Sequence, residues 1–130
     1  MKPAIHILIV EDELPILEVI IEKLKKSKFT VSWARSVDEA VKLMNGEKLP
    51  DLIWLDHYLL GKEDGLEFVA QVKTNELWKH IPIFVVSNTS SPENVASYIE
   101  LGITKYYTKH LARLDEIVKD IKKVTAKSTK

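Results

Sequence analysis

Short apolar stretches alternate along the chain with stretches in which apolar residues recur at helical spacing. Five of the apolar stretches are rich in β-branched residues, which is typical of strands covered on both faces of a sheet. We predict these strands at residues 5–10, 29–34, 51–56, 81–86 and 103–108.

Between and after these strands, apolar residues lie three or four positions apart, as on the buried face of a helix. Ser36 with Glu39 predicts a capping box, Ser91 before a proline predicts the start of the fourth helix, and Gly102 its end. The predicted buried stripes are Leu14, Leu17, Ile21 and Leu24; Val37, Ala40, Val41 and Met44; Leu66, Val69 and Val72; Val95, Ile99 and Leu101; and Leu111, Leu114, Ile117, Val118 and Ile121.

Strands that alternate with helices over the whole length predict an α/β fold, a doubly wound parallel sheet with helices on both faces. Right-handed crossovers and five strands favour the flavodoxin-like strand order 2-1-3-4-5. We expect one domain over residues 1–130 with a core at about 5–124. Because the sequence becomes basic and polar from Lys122, we predict a flexible tail at residues 125–130.

Composition narrows the classes of function. The chain has 130 residues, 45% of them hydrophobic and 29% charged, which suits one compact domain. Its 19 basic and 19 acidic residues balance, which argues against binding nucleic acid by bulk electrostatics. With no cysteine, disulfides and thiolate chemistry are excluded. The first apolar stretch ends at Glu11, too soon for a signal peptide or membrane span, so we expect a cytoplasmic protein without membrane association.

Polar residues that can bind a ligand or take part in catalysis follow four of the predicted strands. Glu11 and Asp12 come after the first strand, Asp56 after the third, Ser87 after the fourth and Lys109 after the fifth. Because parallel strands deliver their carboxyl ends to one edge of the sheet, these side chains are expected to meet in one pocket.

The expected pocket suits a hard cation and a phosphoryl group. Carboxylates packed this closely repel one another unless a cation neutralises them, and ligands that are all oxygen favour Mg²⁺. The cation and Lys109 would then stabilise charge on a phosphoryl group transferred to Asp56, and Ser87 would donate a hydrogen bond to it.

Four segments together resemble the receiver domain of bacterial response regulators, of the chemotaxis-type single-domain kind. The resemblance spans about residues 5–124. Its motifs are ILIVEDE at residues 7–13, DLIWLD at 51–56, PIFVVS at 82–87 and YYTK at 106–109. Each motif is weak alone, but all four occur in order and at suitable separations.

The resemblance implies a role for each residue of the pocket. Asp56 is implied to be the nucleophile that takes phosphate from the phosphohistidine of a histidine kinase. Asp12 is implied to bind Mg²⁺ directly and Glu11 through water, with the backbone carbonyl of Tyr58 as a further ligand. Lys109 is implied to pair with the phosphoryl group.

The resemblance also implies how the signal leaves. Ser87 and Tyr106 are implied to be coupled switch residues, one moving toward phosphate while the other changes rotamer. We expect the output surface to be the face of helix four, strand five and helix five. The implied partners are a histidine kinase or histidine phosphotransfer protein and a downstream protein or second copy, without direct nucleic-acid binding. The chain is expected to catalyse only its own phosphorylation and slow dephosphorylation, so it is not an enzyme in the usual sense.

The sequence departs from the family pattern around the pocket. Leu60 stands where the family usually has proline, and one extra residue lies between Asp56 and Gly65. His110 replaces a proline that is often preceded by a cis bond. A cis bond without proline costs about 2.5–4 kcal/mol, so we predict a trans bond or some local change there. Asn88 stands where a small residue is usual and would narrow access to the acceptor.

These departures keep a degenerate receiver open as an alternative, a protein-interaction module without phosphorylation. A haloacid-dehalogenase-type phosphatase would need Asp-x-Asp after the first strand, where residues 11–13 read Glu-Asp-Glu. A flavodoxin-like electron carrier would need a phosphate-binding loop there, and acidic residues repel phosphate. The four histidines lack metal-ligand spacing and are interpreted as structural or exposed: His6, His57, His80 and His110.

Overall fold

The computed structural model describes residues 3–88 and 91–128. Five parallel strands form one sheet in the order β2-β1-β3-β4-β5, which confirms the predicted topology. The strands are slightly shorter than predicted: β1 His6–Val10, β2 Thr30–Ala34, β3 Leu52–Leu55, β4 Ile83–Ser87 and β5 Lys105–Thr108.

Five helices cover the two faces of the sheet and divide the core into two apolar clusters. Because side chains alternate along a strand, Leu8 and Val10 pack on one face while Ile7 and Ile9 pack on the other. The first cluster lies under α2, α3 and α4, and the second under α1 and α5. The helices are α1 Leu14–Lys26, α2 Val37–Met44, α3 Gly65–Thr74, α4 Pro92–Leu101 and α5 Leu114–Ser128.

Capping groups fix where the helices begin and end. The Ser36 side chain accepts a hydrogen bond from the Glu39 amide at 3.2 Å, which is half of the predicted capping box. The Glu39 carboxylate accepts from the Ser36 hydroxyl at 3.3 Å and does not complete the box. Ser91 caps α4 as predicted, and Gly102 ends that helix with φ 88°. A complete reciprocal capping box, between Asp64 and Glu67, opens α3 and was missed from the sequence.

The last helix, α5, continues to Ser128 and so includes residues 125–128 of the predicted tail. Thr125 is buried and donates its hydroxyl to the Ile121 carbonyl at 2.8 Å. The basic residues at 122 and 123 lie exposed on the outer side of this helix. Their polar composition led to the prediction of a tail, although the segment is the end of an amphipathic helix. Residues 129–130 lie outside the described residues.

Three of the predicted stripes contain a residue that is exposed. Leu111 precedes α5 and is 75% exposed, Ile99 on α4 is 63% exposed, and Leu14 on α1 is 49% exposed. The buried residues that these stripes missed are Tyr98 on α4 and Ile20 on α1. Helical spacing fixes the existence of a buried face, but the rotation of each helix depends on how it packs against the sheet.

None of the helices in the described ranges has the length and apolar composition that crossing a bilayer needs.

Candidate functional site

The carboxyl ends of β1, β3 and β5 bring the predicted charged residues together. Lys109 Nζ lies 2.6 Å from Glu11 Oε1 and 3.4 Å from Asp56 Oδ2. Carboxylate oxygens of Glu11, Asp12 and Asp56 all lie within 4.8 Å of one another. We call this group, with Lys109, the acidic crevice; the sequence placed all four of its residues at this edge.

Backbone hydrogen bonds continue the sheet into the acidic crevice and hold its residues in place. The amide of Glu11 donates to the Ala34 carbonyl at 3.0 Å, and the amide of Asp56 donates to the Val10 carbonyl at 2.9 Å. The Lys109 amide donates to a carbonyl of β4 at 2.9 Å. The charged side chains therefore leave rigid positions at the sheet edge.

Burial and mutual repulsion shift the protonation of the acidic crevice. Burial, with the nearby Asp56 charge, raises the pKa of Glu11 to about 7, although its bond to Lys109 acts in the opposite direction. Burial lowers the pKa of Lys109, but Glu11 and Asp56 together outweigh burial, so the net shift is upward. Lys109 therefore stays charged and pairs with Glu11 and Asp56, and the Asp12 carboxylate lies close to both of these acidic groups.

The donor set of the acidic crevice fits a hard divalent cation. All its side-chain ligands are carboxylate oxygens, which suit Mg²⁺ or Mn²⁺ better than softer metals. The raised pKa of the buried Glu11 indicates that more positive charge would be stabilised here. The predicted ligand at the Tyr58 carbonyl stays a prediction; the Tyr58 side chain is 58% exposed.

Comparison with known proteins adds a second line of evidence. A family model described as the response regulator receiver domain matches residues 7–122. The phosphate regulon transcriptional regulatory protein PhoB of Escherichia coli K12 is 35% identical over 119 residues, 92% of this chain and 51% of PhoB. This chain is a response regulator receiver domain. It spans about half the length of that curated relative.

Two solved structures resemble this receiver along nearly its whole length. The phosphorylated cyanobacterial phytochrome response regulator RcpA has a TM-score of 0.78 and 29% identity, covering 94% of this chain and 91% of that one. The Mn²⁺-bound form of response regulator Rcp1 has a TM-score of 0.76 and 30% identity, with the same coverage of both chains. The receiver is thus a homologue of phosphoacceptor domains of two-component signalling.

Hydrogen bonds hold the lengthened loop after Asp56 against the neighbouring loops of this receiver. Leu60 pairs with the β2–α2 connection, its amide donating to the Arg35 carbonyl at 3.1 Å. The Arg35 guanidinium donates two hydrogen bonds, at 2.7 and 3.0 Å, to the backbone carbonyl of Asp12. Gly61 absorbs the turn with φ 87°. The loop is therefore anchored beside the acidic crevice despite the missing proline.

Asn88 and His110 replace the usual small residue and proline with a direct contact. The His110 amide donates to Asn88 Oδ1 at 3.1 Å, which joins the ends of β4 and β5. No cis peptide bond occurs in residues 3–88 and 91–128, so the predicted trans bond before His110 is confirmed.

The predicted switch residues are in contact. Ser87 is fully buried at the end of β4 and forms a hydrogen bond with the Tyr106 side chain. Burial raises the pKa of Tyr106, so its hydroxyl is neutral. The Tyr106 ring packs against the cluster under α3 and α4, with its centroid 6.0 Å from that of Tyr98.

Sequence reasoning missed Tyr98 and its contact with His57. The Tyr98 hydroxyl lies 2.6 Å from His57 Nδ1, and both side chains are buried. The ring of His57 thus contacts α4, a contact that the interpretation of His57 as structural or exposed did not include. The signal that could have found Tyr98 is its position three residues after Val95, which is also on the inner side of α4.

Proposed function

We propose that this receiver accepts a phosphoryl group on Asp56. The observation that carries the proposal is the setting of this carboxylate: Oδ2 lies 3.4 Å from Lys109 Nζ, and Oδ1 accepts a hydrogen bond from the His57 amide at 2.8 Å. A buried, oriented carboxylate beside a fixed cation suits nucleophilic attack on phosphorus, because the cation neutralises charge on the transferring group.

In the proposed transfer, the P–N bond of a phosphohistidine breaks as a P–O bond to Asp56 forms, and the released imidazole takes up a proton. Lys109 and Ser87 are the groups available to stabilise phosphoryl oxygens. Hydrolysis of the acyl phosphate by water returns the Asp56 carboxylate and releases inorganic phosphate. The receiver thus acts only on itself.

We propose Mg²⁺ as the resident cation, with Asp12 and Asp56 as direct ligands, Glu11 through water and the Tyr58 carbonyl as a further ligand. The excess of carboxylates over cations and the raised pKa of Glu11 support this assignment. When bound, the ion neutralises charge on the carboxylates and on phosphoryl oxygens. The manganese-bound form of the similar Rcp1 receiver is consistent with a hard divalent ion here.

We propose a histidine kinase or histidine phosphotransfer protein as the donor. The output surface would be the face of α4, β5 and α5, which contacts a downstream protein or a second copy. Within α4, every residue of which is described, only Tyr98 is buried, and Ile99 is 63% exposed. A helix with so little buried anchorage can change its packing at low cost. Beryllofluoride, a phosphate mimic, should shift amide resonances across residues 92–118; shifts confined to the acidic crevice would contradict this surface.

Intact-mass spectrometry after incubation with acetyl phosphate and Mg²⁺ tests the acceptor. We expect one added phosphoryl mass, and Asp56→Asn should abolish it. Asp51→Asn is the matched control, because Asp51 flanks the other end of β3. Labelling that persists in Asp56→Asn would refute the assignment. A wild-type chain that takes up no phosphoryl group would instead favour the degenerate receiver that acts only through protein contact.

A further inference from the structure

The imidazole of His57 is buried beside the acceptor and takes no part in the proposed chemistry. Its Nδ1 lies 2.6 Å from the Tyr98 hydroxyl, and its Nε2 lies 3.4 Å from Asn94 Nδ2. Tyr98 and Asn94 both belong to α4, whereas His57 follows β3. The ring of His57 thus joins the end of the acceptor strand to the helix that is proposed to move.

The backbone of His57 is engaged at the same time. Its amide donates to Asp56 Oδ1 at 2.8 Å, and its carbonyl accepts from the Gly65 amide at 2.9 Å. The same residue therefore contacts α4 through its ring and the acceptor carboxylate through its amide.

The position of the Tyr98 hydroxyl is determined by the start of α3. A β-carbon on Gly65 would lie 2.3 Å from that hydroxyl, 2.9 Å from the Asp56 carbonyl oxygen and 3.1 Å from His57 Cα. Glycine at position 65 therefore provides the space in which the Tyr98 hydroxyl reaches His57. Burial, followed by the charge of Asp64, raises the pKa of Tyr98, so this hydroxyl is neutral.

The same tyrosine contacts the switch residues. The Tyr98 and Tyr106 rings have centroids 6.0 Å apart, and Tyr106 is hydrogen-bonded to Ser87. A continuous set of contacts therefore runs from Asp56 through His57 and Tyr98 to Tyr106 and Ser87.

We propose that His57 is a positioning residue that couples Asp56 to α4: its bond to Tyr98 stabilises the α4 packing in which Tyr106 lies inward against Tyr98. This inference rests on the proposed function and on the expected coupled switch, in which Tyr106 changes rotamer as Ser87 moves toward phosphate. A phosphoryl group favours that packing only through contacts that differ between the two states, and the coupling is reciprocal. Loss of the bond therefore weakens binding of a phosphate mimic and slows phosphorylation.

An ordinary packing role for His57 would not explain its partners. A buried imidazole is costly unless its nitrogens are hydrogen-bonded, and an aliphatic residue would fill the same space without that requirement. Both hydrogen-bond partners lie on α4 and neither on the strands, while the carboxylate of Asp64, at the start of α3, lies 3.9 Å from Nε2. An experiment can distinguish packing from positioning. Replacement of a residue that only packs lowers the stability of the fold but leaves the affinity of the folded protein for a phosphate mimic unchanged.

The direct test compares Tyr98→Phe with Tyr107→Phe. Each change removes one hydroxyl that is hydrogen-bonded at 2.6 Å, to His57 in the first case and to Asp120 in the second. We expect Tyr98→Phe to weaken beryllofluoride binding and slow acetyl phosphate labelling about three- to ten-fold, the range of one net hydrogen bond. Carbon-13 resonances of Tyr106 should shift in parallel, and Tyr107→Phe should stay within two-fold of wild type. Equal affinities for the two variants would overturn the proposal.

Variants at His57 provide a second, independent measurement. His57→Asn keeps a polar atom near the position of Nδ1, whereas His57→Leu fills the space without one. We expect the Asn variant to bind beryllofluoride more tightly than the Leu variant. Combining His57→Leu with Tyr98→Phe should add little to either change, because both remove the same bond. Thermal unfolding identifies any variant that is not folded.

The outcomes separate this inference from the proposed function. If wild type neither binds beryllofluoride nor accepts phosphate, the proposed function fails, and the coupling through His57 fails with it. If wild type does both and His57→Leu matches His57→Asn, only the coupling is refuted.

Discussion

At the amino ends of the strands, His6 Nδ1 lies 2.7 Å from the Thr30 hydroxyl and Nε2 lies 3.0 Å from the Ser32 hydroxyl. The His6 amide donates to Asp51 Oδ2 at 2.8 Å, and the Asp51 amide donates to the His6 carbonyl at 2.7 Å. At the carboxyl ends of the same strands, Lys109 is instead shared by two buried carboxylates.

The two edges of the sheet thus use polar groups in opposite ways. At the amino edge each nitrogen of the His6 ring has a hydroxyl partner, so either neutral tautomer is satisfied. At the carboxyl edge, like charges are held close together, and burial raises the pKa of Glu11 to about 7. The amino edge stabilises the fold, whereas the carboxyl edge holds an excess of negative charge that a bound cation can neutralise.

Replacement of a lysine at the carboxyl edge should give the largest effect. Lys109→Met removes the cation that faces Asp56, and we expect labelling by acetyl phosphate to slow about 10²- to 10³-fold, as for loss of one electrostatic stabiliser. The effect on the unfolding free energy should be smaller than the effect on the labelling rate, because Glu11, once it has lost Lys109, can become neutral by taking up a proton. The rate of mass increase with Mg²⁺ measures this.

Lys105→Met is the matched control on the same strand. Lys105 is half-exposed and pairs with Asp120 at 3.1 Å, so its loss should cost less than about 1 kcal/mol and leave labelling unchanged. Similar labelling rates for the two variants would show that position on the sheet edge does not matter.

A methyl group added at the two edges should have unequal effects. A β-carbon at Gly65 would meet the Tyr98 hydroxyl and the backbone of Asp56, so we expect Gly65→Ala to lower the unfolding free energy by about 1–3 kcal/mol. Gly46 follows α2 at the amino edge, where a β-carbon would approach only the Leu43 carbonyl, at 3.1 Å.

Urea unfolding of both alanine variants measures the difference. Gly46→Ala should change the unfolding free energy by roughly 0.5 kcal/mol or less. A larger loss for Gly46→Ala than for Gly65→Ala would mean that the carboxyl edge is not the more crowded one.

The fold and the acidic crevice were predictable because they depend on regular features of the sequence. Apolar strands covered on both faces give continuous runs, and a parallel sheet brings its strand ends to one edge. Glu11, Asp12, Asp56 and Lys109 could therefore be placed together by reading which residues follow each strand.

The contacts of α4 and the length of α5 could not be predicted in the same way. Tyr98 reaches His57 because Gly65 leaves space for its hydroxyl, which depends on three elements separated in sequence. The anchoring of Leu60 to Arg35 likewise joins two loops through tertiary contact alone. In α5, the exposed lysines obscured a helix whose inner side includes the buried Thr125.

The stability of the metal-free protein should respond to pH with opposite sign at the two edges. The pKa of Glu11 is raised from 4.5 to about 7 by burial and by Asp56, so its stabilising protonated form is complete below pH 4.5 and is lost as pH rises through 7. Burial, with Lys48, lowers the pKa of His6 below 6.5 despite Asp51, so its contribution is present above that pH and is lost as pH falls.

Urea unfolding from pH 4.5 to 8 without Mg²⁺ tests these signs. In wild type we expect the unfolding free energy to fall by about 1–2 kcal/mol toward alkaline pH, a value reduced for solvent screening. In Glu11→Gln this fall should be absent. His6→Asn should leave that alkaline loss intact. If the Glu11→Gln profile is as steep as that of wild type, the charge at the carboxyl edge is not what opposes folding.

The smallest effects should come from removing one carboxylate at each edge, and they should differ in sign. Asp51→Ala deprives the His6 amide of its acceptor and should lower the unfolding free energy by about 1 kcal/mol, with labelling unchanged. Asp12→Ala relieves repulsion within the acidic crevice and should raise the unfolding free energy of the metal-free protein by a few tenths of a kcal/mol. The same change should abolish the Mg²⁺-dependent change in fluorescence of Trp54, which lies two residues before Asp56. Equal losses of stability in the two variants would mean that the carboxylates at both edges contribute to folding in the same way. An unchanged Mg²⁺ titration of Asp12→Ala would place the cation outside the acidic crevice.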